Sequence, residues 1–312
     1  MAGDALYANV SLLLHCDGTN GSTTFTDNSP TPKTVTAING AQISTAQSKW
    51  GGASGLFDGT NDYLTVGNAA DWKHLHDDTT DYAVEGWVYW NGGSSDLAIL
   101  STSIASANIG LLLQVLGSDS RKLNAEIYRG ASGSNLSATS SSGITSGAWT
   151  YFKFSYTKTT RAYAFRIGSS AAGSGTMTVT GTWPASSTSN PSFTLGVGRY
   201  QHAAPGGYLN GYLDDLRITS AARTETAEPT AAFPNYSGEV AGTILDDTGS
   251  PCARTVRIVN RSTGALIAST TSNAGTGAYL LAAPTLDEVH RIVLDDSGGA
   301  LYNDIIDRVI PA

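Results

Sequence analysis

Charge is scarce in this chain: Asp, Glu, Lys and Arg make up 14% of its residues, well below the roughly 25% usual in globular proteins. The 18 basic residues are outnumbered by 26 acidic ones, for a formal net charge of −8. With no basic excess to neutralise phosphates, a nucleic-acid partner is not expected. Cysteine is nearly absent. Cys16 and Cys252 stand far apart and neither belongs to a Cys-x-x-Cys pair, so neither a disulfide framework nor a thiolate metal site is expected. Both read as small buried or half-buried thiols. Long apolar runs are missing as well. Residues 12–14 are too short for a signal-peptide core, and no stretch approaches the roughly 20 apolar residues of a membrane span. No export signal or membrane partner is therefore expected. Helical periodicity is also lacking, apart from one turn over residues 70–77.

What fills the space is Gly, at 35 residues, with abundant Ser and Thr beside 40% hydrophobic residues. That mixture suits short strands joined by tight turns. Strand-like runs recur at residues 11–16, 82–90, 110–116, 123–128, 149–157, 161–167, 193–198 and 211–219. Residues 55–66 read as a hairpin whose turn is 58–62. Within 82–90, Tyr82, Val84, Val88 and Trp90 alternate with Ala83, Glu85, Trp87 and Tyr89, so both faces carry apolar matter and a central position follows. Phe152, Phe154 and Tyr156 share one face while Lys153 takes the other. Tyr163, Phe165 and Ile167 repeat the pattern, which marks antiparallel sheets with one wet face. Residues 168–182 read as a mobile loop or a weak edge. The expected fold class is all-β: an antiparallel jelly-roll β-sandwich over residues 1–224, a linker at 225–237 carrying Pro229 and Pro234, and a small Greek-key β-sandwich over 238–312.

Five strings occur in order: SLLLHCDG (11–18), LFDGTNDYL (56–64), VEGWV (84–88), AW (148–149) and GYLDDLRI (211–218). Together they resemble the laminin-G-like members of the concanavalin A-like lectin/glucanase fold. Cys16 stands where that pattern carries a larger apolar residue. GTILDDTGSP (242–251) with AY (278–279) resembles a carboxypeptidase-regulatory or transthyretin-like β-sandwich. The combination, closing on YNDIIDRVIP (302–311), is similar to structural proteins of tailed bacteriophages. The resemblance implies a virion protein assembled in the host cytoplasm, on a tail fibre or as a capsid decoration. Its partners would be other virion proteins, a host-surface glycan and further copies of itself. Two alternatives stay open: a purely structural virion subunit, and a secreted carbohydrate-active enzyme.

Catalysis is not expected. A glycosidase needs two carboxylates roughly 5–10 Å apart, yet the strands bearing Glu85 and Glu126 supply no second acid. No Gly-x-Ser-x-Gly, phosphate-loop or His-Glu zinc motif is present. Simple alternation places Asp214 with Tyr212, Leu216 and Ile218, where a carboxylate needs a cation or hydrogen-bond donors, and leaves Asp215 facing solvent near Arg217. The family resemblance implies a Ca²⁺ at the sandwich rim, with Asp27 (in FTDNS, 25–29) as the partner of Asp214. His74, His76 and Asp77 have the spacing of a transition-metal site but no further ligands. The loop RYQHAAPGGY (199–208) offers Arg199, Tyr200, His202 and Tyr208 as a sugar contact, since aromatic faces stack on sugars and planar polar groups read hydroxyls.

Overall fold

The computed structural model describes residues 3–103, 109–129, 135–180, 191, 194–200, 207–236, 238–246, 248–261, 263–283, 289–294, 304–309 and 311. The chain is all-β. It divides into two compact units, Val10–Phe233 and a smaller one that joins Met1–Asn9 to Pro234–Ala312. No helix among the described residues is long and apolar enough to cross a membrane.

The larger unit begins with β1 (Val10–Leu14), β2 (Val35–Ile38), β3 (Gln42–Ser44), β4 (Ser54–Asp58), β5 (Tyr63–Val66), β6 (Tyr82–Trp90), β7 (Leu97–Ser101) and β8 (Ile109–Leu116). It continues with β9 (Lys122–Arg129), β10 (Asn135–Gly143), β11 (Trp149–Thr157), β12 (Ala162–Ile167), β13 (Ser170–Thr176), β14 (Thr178–Thr180), β15 (Leu195–Val197) and β16 (Asn210–Thr219). Two eight-stranded antiparallel sheets result. The first has the order β13-β12-β11-β6-β16-β4-β3 with β1 also on β16, and the second β14-β10-β9-β8-β7-β15-β5-β2. The Gly- and Ser-rich β13 closes one edge of the first sheet and β14 one edge of the second. A 3-10 helix, Ala69–Leu75, buries Trp72, whose indole Nε1 donates to the Val66 carbonyl at 2.8 Å.

The inner faces form one core, to which β6 gives Tyr82, Val84, Val88 and Trp90 and β11 gives Phe152, Phe154 and Tyr156. Each of these side chains contributes roughly 1.5–3 kcal/mol on full burial. Phe154 and Phe165 stack with centroids 5.1 Å apart. The double-sided pattern of residues 82–90 puts β6 between β11 and β16.

Two readings of the strand pattern are corrected. Residues 55–66 are not a hairpin, because β4 joins the first sheet and β5 the second. The turn between them is a sandwich corner. It is held by the Asp62 carboxylate, which accepts from Gly40 N at 2.7 Å and Asp58 N at 3.1 Å. The second correction concerns β16. Asp214 faces Trp87 and Arg217 faces Glu85, so Asp215 and Leu216 together oppose Gly86. This two-for-one bulge resets the alternation. Leu213, Leu216 and Ile218 point into the core, whereas Tyr212, Asp214 and Arg217 lie on the outer face. Asp215 adopts φ 52° and is fully buried, not solvent-facing. The bulged backbone presses on Gly86, where an added Cβ would meet Leu216 Cα at 3.0 Å and the Asp215 carbonyl oxygen at 3.1 Å.

The outer face of the first sheet is not uniformly wet, and residues 225–233, expected as linker, group with the larger unit. Glu85 forms the centre of a buried charge network. Its Oε1 accepts from Arg217 Nη2 at 2.9 Å and Nε at 3.2 Å, and its Oε2 from the Tyr151 hydroxyl at 2.6 Å. Arg223 Nε stands 3.4 Å from Oε1. Lys153 Nζ, with its side chain 3% exposed, donates to the Glu225 carbonyl at 3.1 Å. Phe233 stacks under the Arg217 guanidinium at 3.7 Å, and its N–H donates to Asp215 at 2.5 Å. Burial alone would raise the Glu85 carboxyl, but Arg217, Lys153 and Arg223 together hold it below its ordinary range.

The smaller unit holds a two-stranded sheet of β17 (Gly238–Thr243) with β20 (Ala278–Ala283). Its four-stranded sheet has the order β19 (Leu266–Thr271), β18 (Thr255–Asn260), β21 (Val289–Leu294), β22 (Asp304–Val309). Val240, Ile258, Tyr279 and Leu281 contribute to its core. Leu245, Leu266 and Leu280 are exposed.

The network gives a direct stability test. Glu85→Gln removes the carboxylate that pairs with Arg217 and Arg223, while Glu225 still faces Arg223 and Lys153, and about 3–5 kcal/mol of stability should be lost. Denaturant unfolding should show a lower midpoint at an unchanged slope. A midpoint equal to that of the parent would refute the hub.

Candidate functional site

The loop 199–208 is anchored at both ends. Arg199 follows β15, and its carbonyl accepts from Ser101 Oγ at 2.9 Å. Tyr200 N donates to the Gly207 carbonyl at 3.3 Å, and Ala98 N to the same oxygen at 3.1 Å. The four residues read as a sugar contact then divide. The Arg199 guanidinium lies 4.3 Å from the centre of the Tyr63 ring and 6.0 Å from that of Tyr208. The two tyrosine rings are 6.4 Å apart and tilted by 39°. Arg199 Nε donates to the Tyr200 carbonyl at 2.8 Å, which orients the guanidinium plane. Among the described residues no carboxylate pairs with it. The three side chains are half-buried. Tyr200 turns away and packs on Ala98, Leu112 and Tyr128. Burial, with Asp96 and Glu126 nearby, pushes its phenol above the ordinary value. His202 lies outside the described residues.

Tyr63 was not singled out by sequence reasoning, because LFDGTNDYL reads locally as a hairpin. The signal that could have found it is its half-open alternation on β5, where Leu64 and Val66 are buried and Tyr63 and Thr65 are not.

Asp27 and Asp214, expected to share a calcium ion, are held by different donor sets. Asp27 Oδ1 accepts from Leu13 N at 3.1 Å and Ser29 N at 2.9 Å. Its Oδ2 accepts from Ser29 Oγ at 3.0 Å and Lys33 N at 2.8 Å. This carboxylate ties the segment after β1 to β1 itself. Asp214 Oδ2 accepts from Lys49 N at 2.7 Å and Trp50 N at 3.0 Å. Its Oδ1 is buried and accepts nothing among the described residues. Burial pushes the Asp214 carboxyl up to about 7; the two amides oppose that rise, while Asp215 and Asp17 add to it. Among the described residues no group of three or more His, Cys, Asp or Glu side chains is placed to hold a metal ion. Burial lowers the His74 imidazole to about 4, and Asp77 accepts from Thr79 N at 2.9 Å and Thr79 Oγ1 at 2.6 Å.

The two strand carboxylates Glu85 and Glu126 both have partners. Glu85 sits in the charge network with both oxygens bonded. Glu126 accepts from the Tyr128 hydroxyl.

A pH experiment isolates Asp214. Its folded value, about 7, lies above the ordinary 3.8, so the folded state holds this proton more tightly than the unfolded chain. The resulting stabilisation is complete below the unfolded value and is lost as pH rises through about 7. Between about pH 4 and pH 7 the parent should therefore lose stability relative to Asp214→Asn, by on the order of a few kcal/mol. Parallel unfolding curves for the two across that window would exclude the effect. A calcium-dependent rise in the parent's melting temperature that vanishes in Asp214→Asn would instead mark the residue as a calcium ligand.

A laminin-G-type family model, described as the concanavalin A-like lectin/glucanases superfamily, matches residues 58–227, more than half of the chain. No match was found among curated proteins. Solved structures give weaker likenesses. A crystal structure described as HCR/D-Sa-GBL1/C has 11% identity, covering 98% of this chain and 70% of that one at a TM-score of 0.49. A structure of botulinum neurotoxin type C, whose cell entry is described as dependent on interaction with two ganglioside molecules, has 8% identity, 97% and 79% coverage and a TM-score of 0.48. The binding domain of botulinum neurotoxin DC has 10% identity, 98% and 69% coverage and a TM-score of 0.45. The match across β5 to β16, on two stacked antiparallel sheets, decides the family: the chain belongs to the concanavalin A-like lectin/glucanase superfamily.

Proposed function

We propose that the larger unit is a non-catalytic glycan-binding module, and that Tyr63, Arg199 and Tyr208 hold its ligand. The observation that carries this reading is the Arg199 guanidinium, spread over two tyrosine rings without a carboxylate partner among the described residues. Ring faces suit the C–H faces of a sugar. A fixed guanidinium fork suits a sugar carboxylate, through charge-assisted paired hydrogen bonds. The preferred ligand is therefore an acidic glycan. The engaged states of Glu85 and Glu126 support binding without hydrolysis.

The setting we propose is a tailed-phage virion, on a tail fibre or as a capsid decoration, with the module exposed to the host surface. The ordered strings and the transthyretin-like resemblance of the smaller unit support it. The exposed Leu245, Leu266 and Leu280 support docking of that smaller unit on neighbouring virion proteins. A purely structural subunit is the competing reading, favoured by the same exposed leucines.

Binding of the full chain to a printed array of acidic and neutral glycans separates the two. Acidic glycans should be retained, and Arg199→Ala should weaken them by about tenfold or more, as expected for a lost charge-assisted bond. Tyr208→Ala should weaken acidic and neutral sugars alike. Absence of binding by the parent would leave the structural reading, and sugar release from a polysaccharide panel would overturn the non-catalytic one.

A further inference from the structure

We infer that the ligand surface continues from the rim onto the outer face of the first sheet, where a row of aromatic rings takes the neutral sugars of an extended glycan. This deepens the glycan-binding reading and rests on it. Strand register builds the row. Trp149 on β11 pairs with Tyr89 on β6, Tyr89 with Tyr212 on β16, Tyr212 with Leu56 on β4, and Leu56 with Gln42 on β3. All five are half-buried on the face opposite the core residues Val88, Leu213 and Phe57. Tyr89 meets Trp149 at 5.7 Å and 66°, and Tyr212 at 5.8 Å and 83°. Each ring therefore stands edge-on to its neighbour, and the row is a line of aromatic corners.

The tiers on either side differ. Next to the row, Trp87 and Tyr151 are buried, with Lys49 Nζ 3.7 Å above the Trp87 ring and Trp50 packed edge-on at 6.1 Å. Beyond them lies the charge network around Glu85. On the other side stand two amides. Asn91 Nδ2 donates to Asn210 Oδ1 at 3.2 Å, which leaves an acceptor on Asn91 and a donor on Asn210. The hydroxyls of Tyr89 and Tyr212 bond to no described residue. Rings for C–H faces beside unspent amides and phenols match the chemistry of a pyranose. Subunit interfaces are also rich in Tyr and Trp, so the amide pair beside the rings is what favours a sugar here.

Continuity with the rim supplies the length. Asn210 and Tyr212 share the outer face of β16, opposite the buried Leu213, and Tyr208 stands two residues before that strand. Tyr208 and Tyr212 are roughly 13 Å apart along the chain at strand spacing. A sugar carboxylate seated on Arg199 thus leaves the rest of an oligosaccharide to run past Asn210 towards Tyr212.

The test uses the full chain on an array that carries sialic acid, lactose and sialyllactose, with uronic acids in the same short and extended forms. The parent should bind the extended acidic glycans about tenfold more tightly than the acidic sugar alone. Tyr212→Ala and the milder Asn91→Ala should remove that increment and leave the acidic sugar's own affinity in place. Arg199→Ala should weaken both acidic forms. An increment that survives in both row variants would overturn the inference, as would a parent that does not prefer extended glycans. So would a parent dimer that Tyr212→Ala converts to monomer, which would make the row a contact between copies. Row variants that lose binding while Arg199→Ala keeps it would sink the rim reading and leave the row standing.

Discussion

The bulge in β16 is the constraint on which the larger unit depends. Asp215 and Leu216 together face Gly86, and at that point β16 changes its neighbour from β4 to β1. The two carboxylates at the junction hold the segments that part there. Asp214 takes the amides of Lys49 and Trp50 ahead of β4, and Asp215 takes Phe233 N and pairs with His15 at 2.5 Å. A β-carbon on Gly86 would crowd this backbone, meeting Leu216 Cα at 3.0 Å and the Asp215 carbonyl oxygen at 3.1 Å. Because the extra residue returns Leu216 and Ile218 to the core, it lets one strand carry apolar contacts inward and charges outward along its whole length.

Those outward charges would be costly if left alone beneath the segment that covers them. Glu85 offsets two guanidiniums, a tyrosine hydroxyl completes its second oxygen, and Glu225 supplies Lys153 with a carbonyl at the segment's start. Polar contacts of this kind specify one arrangement, since any slip of the covering segment leaves a buried charge unpaired. The same cover limits where the first sheet can meet a ligand. It closes the tier near Glu85, Lys49 and Trp50 cover that of Trp87, and the tier of Trp149, Tyr89 and Tyr212 is left half-open.

Parts of the site were legible in the sequence and parts were not. Arg199 and Tyr208 could be picked out because an arginine and aromatics in a glycine-rich loop are unusual company. Their partner Tyr63 lies far back in the chain on β5, and only the sheet order brings it to them. Tyr200, which looks equivalent in the sequence, belongs to a different cluster because consecutive residues in an extended segment point in opposite directions. Asp214 was recognisable as a carboxylate in apolar company, and Asp27 only through the family resemblance. Their donors are backbone amides, which leave no trace in residue identity.

Alternating residues in β6, β11 and β12 were enough to establish an all-β chain with β6 at its centre, because period two is a local property of extended backbone. The ordered strings carried the family by the same local route. Tertiary structure alone decided which outward faces are wet, where β16 gains its extra residue, and that β4 and β5 belong to different sheets. Each of these depends on pairing between distant segments. The free energy of a buried carboxylate or an open aromatic ring is set by what lies across from it, and the residues beside it in the chain do not reveal that.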